Sequence, residues 1–269
     1  MKKTIKALLL ITLLALFVGG CSTTKASDKV ITVGASPTPH AKILEAARAA
    51  LLADGYTLVI KEFTDYVLPN TALNSGDLDA NYFQHLPYLT DFNTKNGTKL
   101  SSVLAVHFEP LGLYPGKTTS IATLKDGATI AVPNDKSNET RALALLQDNG
   151  LITVNAAKLA SEDATILDIT SNPRNFKFTE LEAVQIPRAL ADVDLAVING
   201  NYALEAKIEK SVLLTESKDS AAAKKYANIL VVQTGKETTA KTKELIKVLG
   251  SQAIKDFITA NFYPTVIPA

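Results

Sequence analysis

The chain has 269 residues, 20% of them charged and 46% hydrophobic, with a net charge of +1 and one cysteine. So even a balance offers no basic face for nucleic acid, and one cysteine excludes a disulfide framework within the chain. The body must therefore be held by apolar burial, and it is long enough for two modest lobes.

Lys2, Lys3 and Lys6 open the chain, and Ala7 to Val18 is apolar apart from Thr12. Gly19 and Gly20 stand directly before Cys21. This is the layout of a secretory signal peptide, and its apolar run falls short of the roughly 20 residues that cross a bilayer. Val18-Gly19-Gly20-Cys21 also resembles a lipobox, so we expect cleavage before Cys21 and a lipid on its thiol. An ordinary secretion signal would leave an unpaired thiol in an oxidising compartment. Residues 22–28 are small and polar and read as a tether. Taking the three lysines of residues 1–20 from the 28 basic side chains leaves 25 against 27 acidic, a net charge of −2. No second apolar segment is long enough to span a membrane.

Val30 to Gly34 is predicted as a strand. His40 to Ala53 follows as a helix that buries Ile43, Leu44, Ala47 and Leu51 and stops at Gly55. Leu58 to Phe63 is a strand, Pro69 to Asn74 a short helix ended by Gly76, and Leu78 to Gln84 a strand. Pro87 suits the first turn of the next helix, and Leu100 to Phe108 is a strand. Strands alternating with helices argue for an α/β fold with a largely parallel sheet. Glu109 to Gly116 reads as a connector. A second set follows, with strands at Thr129 to Val132 and Leu195 to Ile198 and a helix from Asn138 to Asp148. Ile229 to Val232 is a late strand, and helices at Thr239 to Leu249 and Gln252 to Asn261 close the chain. The expected organisation is a signal peptide at 1–20, a lipidated tether at 21–28, a first lobe from 29–113 that resumes at 226–269, and a second lobe at 114–225. Two lobes joined by two crossings leave a ligand cleft between them.

Three segments carry candidate chemistry. In Phe83 to Leu89, Phe83 and His85 share a strand face and Tyr88 follows one helical turn later. Such a strand end feeding a helix is a ligand position in α/β folds, and the group suits a thioether, whose sulfur packs on aromatic edges. A core Phe with a hydrogen-bonded His and an exposed Tyr fits the same residues. In Pro133 to Leu143, Asn138 or Ser137 would cap the helix and place Arg141 in its first turn. A cation there opposes the helix dipole, so a bound carboxylate would compensate. By residue type alone, a surface Arg paired with Asp135 or Glu139 is the stronger reading. In Ala196 to Ala203, Asn199 ends a strand, with Asn201 and Tyr202 beyond it. Asparagine can serve both a carboxylate and an ammonium, although Asn-Gly-Asn is also a good turn. Tyr66 and Asn228 sit at equivalent element ends.

VGASPTPHAKILE, FTDYVLPNTALNSGDLDANYFQHLPYL, HFEPLGLYPGK, AVPNDKSNETRALALLQ, ELEAVQIPRAL, AVINGNYA and the ending TVIPA occur in order. Together they resemble the NlpA/methionine-binding lipoprotein family, the substrate-binding components of methionine ABC importers. The resemblance covers nearly the whole mature chain. It implies a two-lobed periplasmic-binding-protein fold of type II kind, closing on a free amino acid and passing it to a permease and its ATPase. It implies a place on the extracytoplasmic face of the cell membrane, held by lipid. By the same resemblance, Tyr66, Phe83, His85 and Tyr88 form the side-chain pocket, Arg141 grips the carboxylate, and Asn199 and Asn228 fix the amino-acid backbone. Asn138 and Asn201 are further candidates. Lys42 and His107 depart from the expected family pattern. No cofactor, resident metal or nucleic-acid partner is expected.

A metal-binding lipoprotein of another importer class is the alternative, using His40, His85 and His107 with a carboxylate. An enzyme is disfavoured. The chain has no nucleophile elbow, metal-ligand helix motif or P-loop, and lipid takes its one cysteine.

Overall fold

A computed structural model describes residues 27–217 and 224–269. The signal peptide, Cys21 and most of the tether lie outside them. Val30–Ala35 (β1) pairs in parallel with Thr57–Glu62 (β2) and Ala80–His85 (β3). Leu100–Phe108 (β4) ends the first pass. The chain then builds a second sheet from Gly112–Pro115 (β5) and Thr129–Pro133 (β6). A small ribbon of Thr153–Val154 (β7) and Ile169–Ser171 (β8) precedes Lys177–Leu181 (β9). Leu195–Ile198 (β10) and Leu214–Thr215 (β11) complete that sheet. Ala227–Gln233 (β12) returns to the first sheet, and Ile267–Pro268 (β13) ends at its edge.

The first sheet runs β13-β4-β12-β3-β1-β2 and the second β11-β5-β10-β6-β9. Neither is wholly parallel. β12 lies antiparallel between β3 and β4, and β5 lies antiparallel between β10 and β11. The stretch expected to be a connector from Glu109 to Gly116 thus contains β5. Its Gly and Pro signalled a turn, yet Leu113 and Tyr114 are buried strand residues.

Each sheet has its own core. In the first lobe Ile31, Val33, Leu44, Leu51, Leu230 and Leu249 bury together, and helix Lys42–Ala53 turns Ile43, Leu44, Ala47 and Leu51 inward as its spacing requires. Gly55 follows that helix with φ +82°, a conformation that costs glycine little. In the second lobe Leu113, Ile130, Val132, Leu143, Leu146 and Val197 bury on one face of the sheet, and Ala131, Ile186, Ala196, Ile198 and Tyr202 on the other. No helix among the described residues is long and apolar enough to cross a membrane.

The lobes are joined where β4 leads into β5 and where β11 leads toward β12. These two crossings touch. Glu216 donates its N–H to the Leu111 carbonyl at 3.1 Å, and a Glu216 carboxylate oxygen accepts the Leu111 N–H at 2.8 Å.

Candidate functional site

The seven residues expected to hold a ligand meet at one cavity between the lobes. Tyr66, Phe83, His85, Tyr88, Arg141, Asn199 and Asn228 all line it. Gln84, Glu109, Asn138, Gly200 and Asn201 complete the wall.

The aromatic side comes from the first lobe. β3 delivers Phe83 and His85, and helix Leu86–Asn96 begins at once with Pro87 in its first turn. His85 is the cap of that helix, its Nδ1 accepting the Tyr88 N–H at 3.2 Å. Its Nε2–H donates to Asn138 Oδ1 at 3.1 Å. These partners fix a neutral tautomer, and burial first, then the Arg141 charge, lowers the imidazole pKa to about 3. Tyr66 lies 5.8 Å from Phe83, 5.7 Å from Tyr88 and 5.0 Å from Tyr202, ring centre to ring centre. Tilted and edge-on contacts of this kind suit aromatic quadrupoles.

The polar side comes mostly from the second lobe. Helix Lys136–Asp148 is capped by Asp135, whose carboxylate accepts the Asn138 N–H at 3.0 Å. The helix therefore starts before Asn138, and Arg141 falls in its second turn, not its first. Asn138 is released from capping by its own side-chain oxygen. That Oδ1 accepts both from His85 and from Asn199 Nδ2, the latter at 2.8 Å.

Asn199 precedes helix Gly200–Glu205 in the N-cap position, yet its side chain makes no capping bond. Cap asparagines usually spend their oxygen on the helix N–H groups. Among the described residues, Oδ1 is here buried without a partner, and so is Asn201 Nδ2. The cavity wall thus carries one unspent acceptor and one unspent donor. Gly200 is needed between them, since a Cβ there would lie 2.8 Å from the Glu109 Cβ.

Behind Asn228 lies a buried chain of polar groups, in which His40 and His107, expected together only as metal ligands with a carboxylate, meet Glu109 and Tyr82. The Tyr82 hydroxyl bonds His107 Nδ1. His107 Nε2–H donates to Glu109 Oε1 at 2.7 Å, and His40 Nε2–H donates to Asn228 Oδ1 at 2.8 Å. With its oxygen taken, Asn228 has its amide donor left for the cavity. Desolvation is the leading cause that lowers His40 to about 4 and His107 to about 3. It also raises the Glu109 carboxyl, against the pull of His40 and Arg141.

A family model described as NlpA lipoprotein matches residues 31–269. The chain belongs to the NlpA lipoprotein family. The methionine-binding lipoprotein MetQ of Bacillus subtilis is 39% identical, with 98% of each chain covered. A nutrient-binding protein from Burkholderia cenocepacia, solved bound to methionine, is 41% identical with TM-score 0.84, covering 89% of this chain and 99% of that one. An ABC transporter periplasmic substrate-binding protein from Coxiella burnetii is 40% identical with TM-score 0.82, covering 89% and 100%. The two-lobed fold of this NlpA lipoprotein is that of substrate-binding proteins. These relatives are named for binding or transport, not for catalysis.

Two expectations change. His40, His85 and His107 do not form one set. His40 and His107 lie with Glu109, while His85 is turned to Asn138 and packs edge-on against Tyr226, so the metal-binding alternative gains no support. Nor does Arg141 pair with Asp135 or Glu139. Its Nε and Nη2 donate to the two oxygens of Glu216 at 2.7 and 2.5 Å, and Nη2 also donates to the Glu109 carbonyl at 2.7 Å. Glu216 lies 75 residues away, beyond the reach of any local pattern.

Proposed function

We propose that this NlpA lipoprotein captures a free amino acid, methionine above others, between its lobes and hands it to the permease and ATPase of an ABC importer. One observation carries the reading. An acceptor without a partner, Asn199 Oδ1, and a donor without a partner, Asn201 Nδ2, are buried at the same cavity. Buried polar atoms are seldom left unpaired, because each costs about 1–3 kcal/mol. A zwitterion supplies both partners. Its ammonium donates to Asn199 Oδ1, and its carboxylate accepts from Asn201 Nδ2, Asn228 and Arg141. The side chain then lies among Tyr66, Phe83, His85 and Tyr88, where a thioether gains about 0.3–1.5 kcal/mol per aromatic contact. The methionine in the Burkholderia relative supports the same choice.

In this reading residues 1–20 are removed and Cys21 carries the lipid that keeps the protein at the extracytoplasmic face. Cys21→Ser is expected to move the protein from the detergent phase to the aqueous phase, and equal partitioning of both forms would count against the anchor.

A thermal-shift series on the purified chain tests the cargo. Methionine should raise the melting temperature by mass action, and leucine, glutamate and zinc should raise it less. Stabilisation by zinc with none by methionine would reverse the assignment.

A further inference from the structure

Arg141 is held by its own chain on several sides. Its Nε and Nη2 edge is filled by Glu216, and Nη2 also meets the Glu109 carbonyl. The Phe108 and Tyr226 rings flank the guanidinium at 5.5 and 4.6 Å. Glu216 is itself fixed, since it both accepts from and donates to the backbone of Leu111. Their side chains are only 4% and 10% exposed, so water screens the pair less than it would at the surface. Leu111 lies on one crossing between the lobes and Glu216 on the other. The guanidinium is thereby fastened to both connections, and among the described residues its Nη1 makes no hydrogen bond.

We propose that Glu216 is a positioning residue for the cargo carboxylate: it occupies the Nε/Nη2 edge of Arg141, leaves Nη1 as the carboxylate donor, and ties that donor to both crossings. This rests on the amino-acid reading above. A guanidinium on a flexible stem would have to be ordered as cargo binds, and that ordering costs affinity. Glu216 orders it beforehand. Because the anchor is the pair of crossings, the position of the donor is set by the same segments about which the lobes close. Glu216 therefore acts on the carboxylate through Arg141 and has no bearing on the cargo side chain.

The test compares L-methionine with L-methioninol, which keeps the ammonium and side chain but has no carboxylate. Titration calorimetry is run on the full chain and on its Glu216→Asp variant. Aspartate keeps the charge but withdraws the carboxylate by one methylene. Glu216→Asp should weaken methionine roughly 10- to 100-fold, the worth of a hydrogen bond to a charged group. Methioninol should change by no more than about twofold. If Glu216→Asp does not melt cooperatively, Glu216→Gln carries the comparison. Loss of a negative charge by itself would widen the preference for methionine over methioninol, whereas loss of positioning narrows it. Equal weakening of both ligands would mean a merely structural role, and unchanged methionine binding would mean no role; either overturns the proposal while leaving the amino-acid reading intact. Failure of the unaltered chain to bind methionine would overturn both.

Discussion

The Tyr66 hydroxyl donates to Asn201 Oδ1 at 2.5 Å and so joins the first lobe to the second across the cleft. The same tyrosine belongs to the aromatic wall of the cavity, so in the proposed reading one side chain both encloses the cargo and latches the lobes. Tyr66→Phe keeps the ring and removes the latch. It leaves a buried amide oxygen unpaired in the closed form, at about 1–3 kcal/mol. Methionine binding measured by calorimetry should weaken roughly 5- to 150-fold, with the change mostly in the dissociation rate. Binding equal to that of the unaltered chain would show that Tyr66 serves only as a wall.

Arg141 invites a prediction that differs from the one its sequence context suggests. A cation awaiting a ligand should be removable without harm to the ligand-free fold. Arg141 is instead paired with Glu216, whose side chain is only 10% exposed. Breaking such a pair by removing one partner costs about 2–5 kcal/mol. Arg141→Ala should therefore lower the melting temperature as well as the affinity. Arg141→Ala combined with Glu216→Ala should recover part of the stability, because no charge is left stranded, but none of the binding. A double variant that melts no higher than Arg141→Ala would argue that Glu216 gains nothing from the pair.

In the proposed reading Asn199 separates the two ends of the cargo. Its Nδ2 is fixed on Asn138, and its Oδ1 is buried without a partner among the described residues. Asn199→Ala should weaken methionine by about ten- to hundredfold, as expected for a hydrogen bond to a charged group. A methionine analogue with an acetylated nitrogen carries no ammonium, so the substitution should hardly change its weaker binding. A parallel loss for both compounds would place the ammonium elsewhere.

The buried histidines give stability a pH dependence. His40, His85 and His107 titrate at about 4, 3 and 3 in the folded chain, chiefly through desolvation. Each is expected near 6.5 when unfolded. Between those values the unfolded chain binds more protons, so stability rises with pH and is lost on acidification. Glu109 and Glu139 act the other way. Burial raises both, Glu139 to about 7, so the folded chain keeps protons that the unfolded chain releases. Replacing one histidine isolates one contribution. His107→Gln should reduce the slope of unfolding free energy against pH by up to about 1.4 kcal/mol per unit between pH ~4.5 and ~6. Denaturant titrations across that range measure it, and an unaltered slope would mean that His107 is protonated when folded.

Much of the fold was legible because its strands are short apolar runs bounded by turn formers. Leu100 to Phe108 and Leu195 to Ile198 read off directly with their observed bounds. β9 did not, since Lys177, Thr179 and Glu180 make it look like a polar loop, and only pairing with β6 orders it. The start of helix Lys136–Asp148 was misplaced because Asp135, Ser137 and Asn138 can all cap. Asp135 takes the role, which frees Asn138 for the cleft. Aromatic and amide residues at element ends marked the cavity wall. The partners that orient them were invisible, because Glu216 with Arg141 and His40 with Asn228 meet only through tertiary folding, the latter 188 residues apart. Glu109 was hidden within what read as a turn.

The central claim is that methionine lies with its sulfur among Tyr66, Phe83, His85 and Tyr88. The chain holds one methionine, Met1, within the expected signal peptide. Crystals of the mature protein soaked in L-selenomethionine would therefore carry selenium only as cargo. The account predicts one anomalous peak per molecule, inside that aromatic group, with the carboxylate toward Arg141. A peak elsewhere, or a cavity without selenium at saturating concentration, would contradict it.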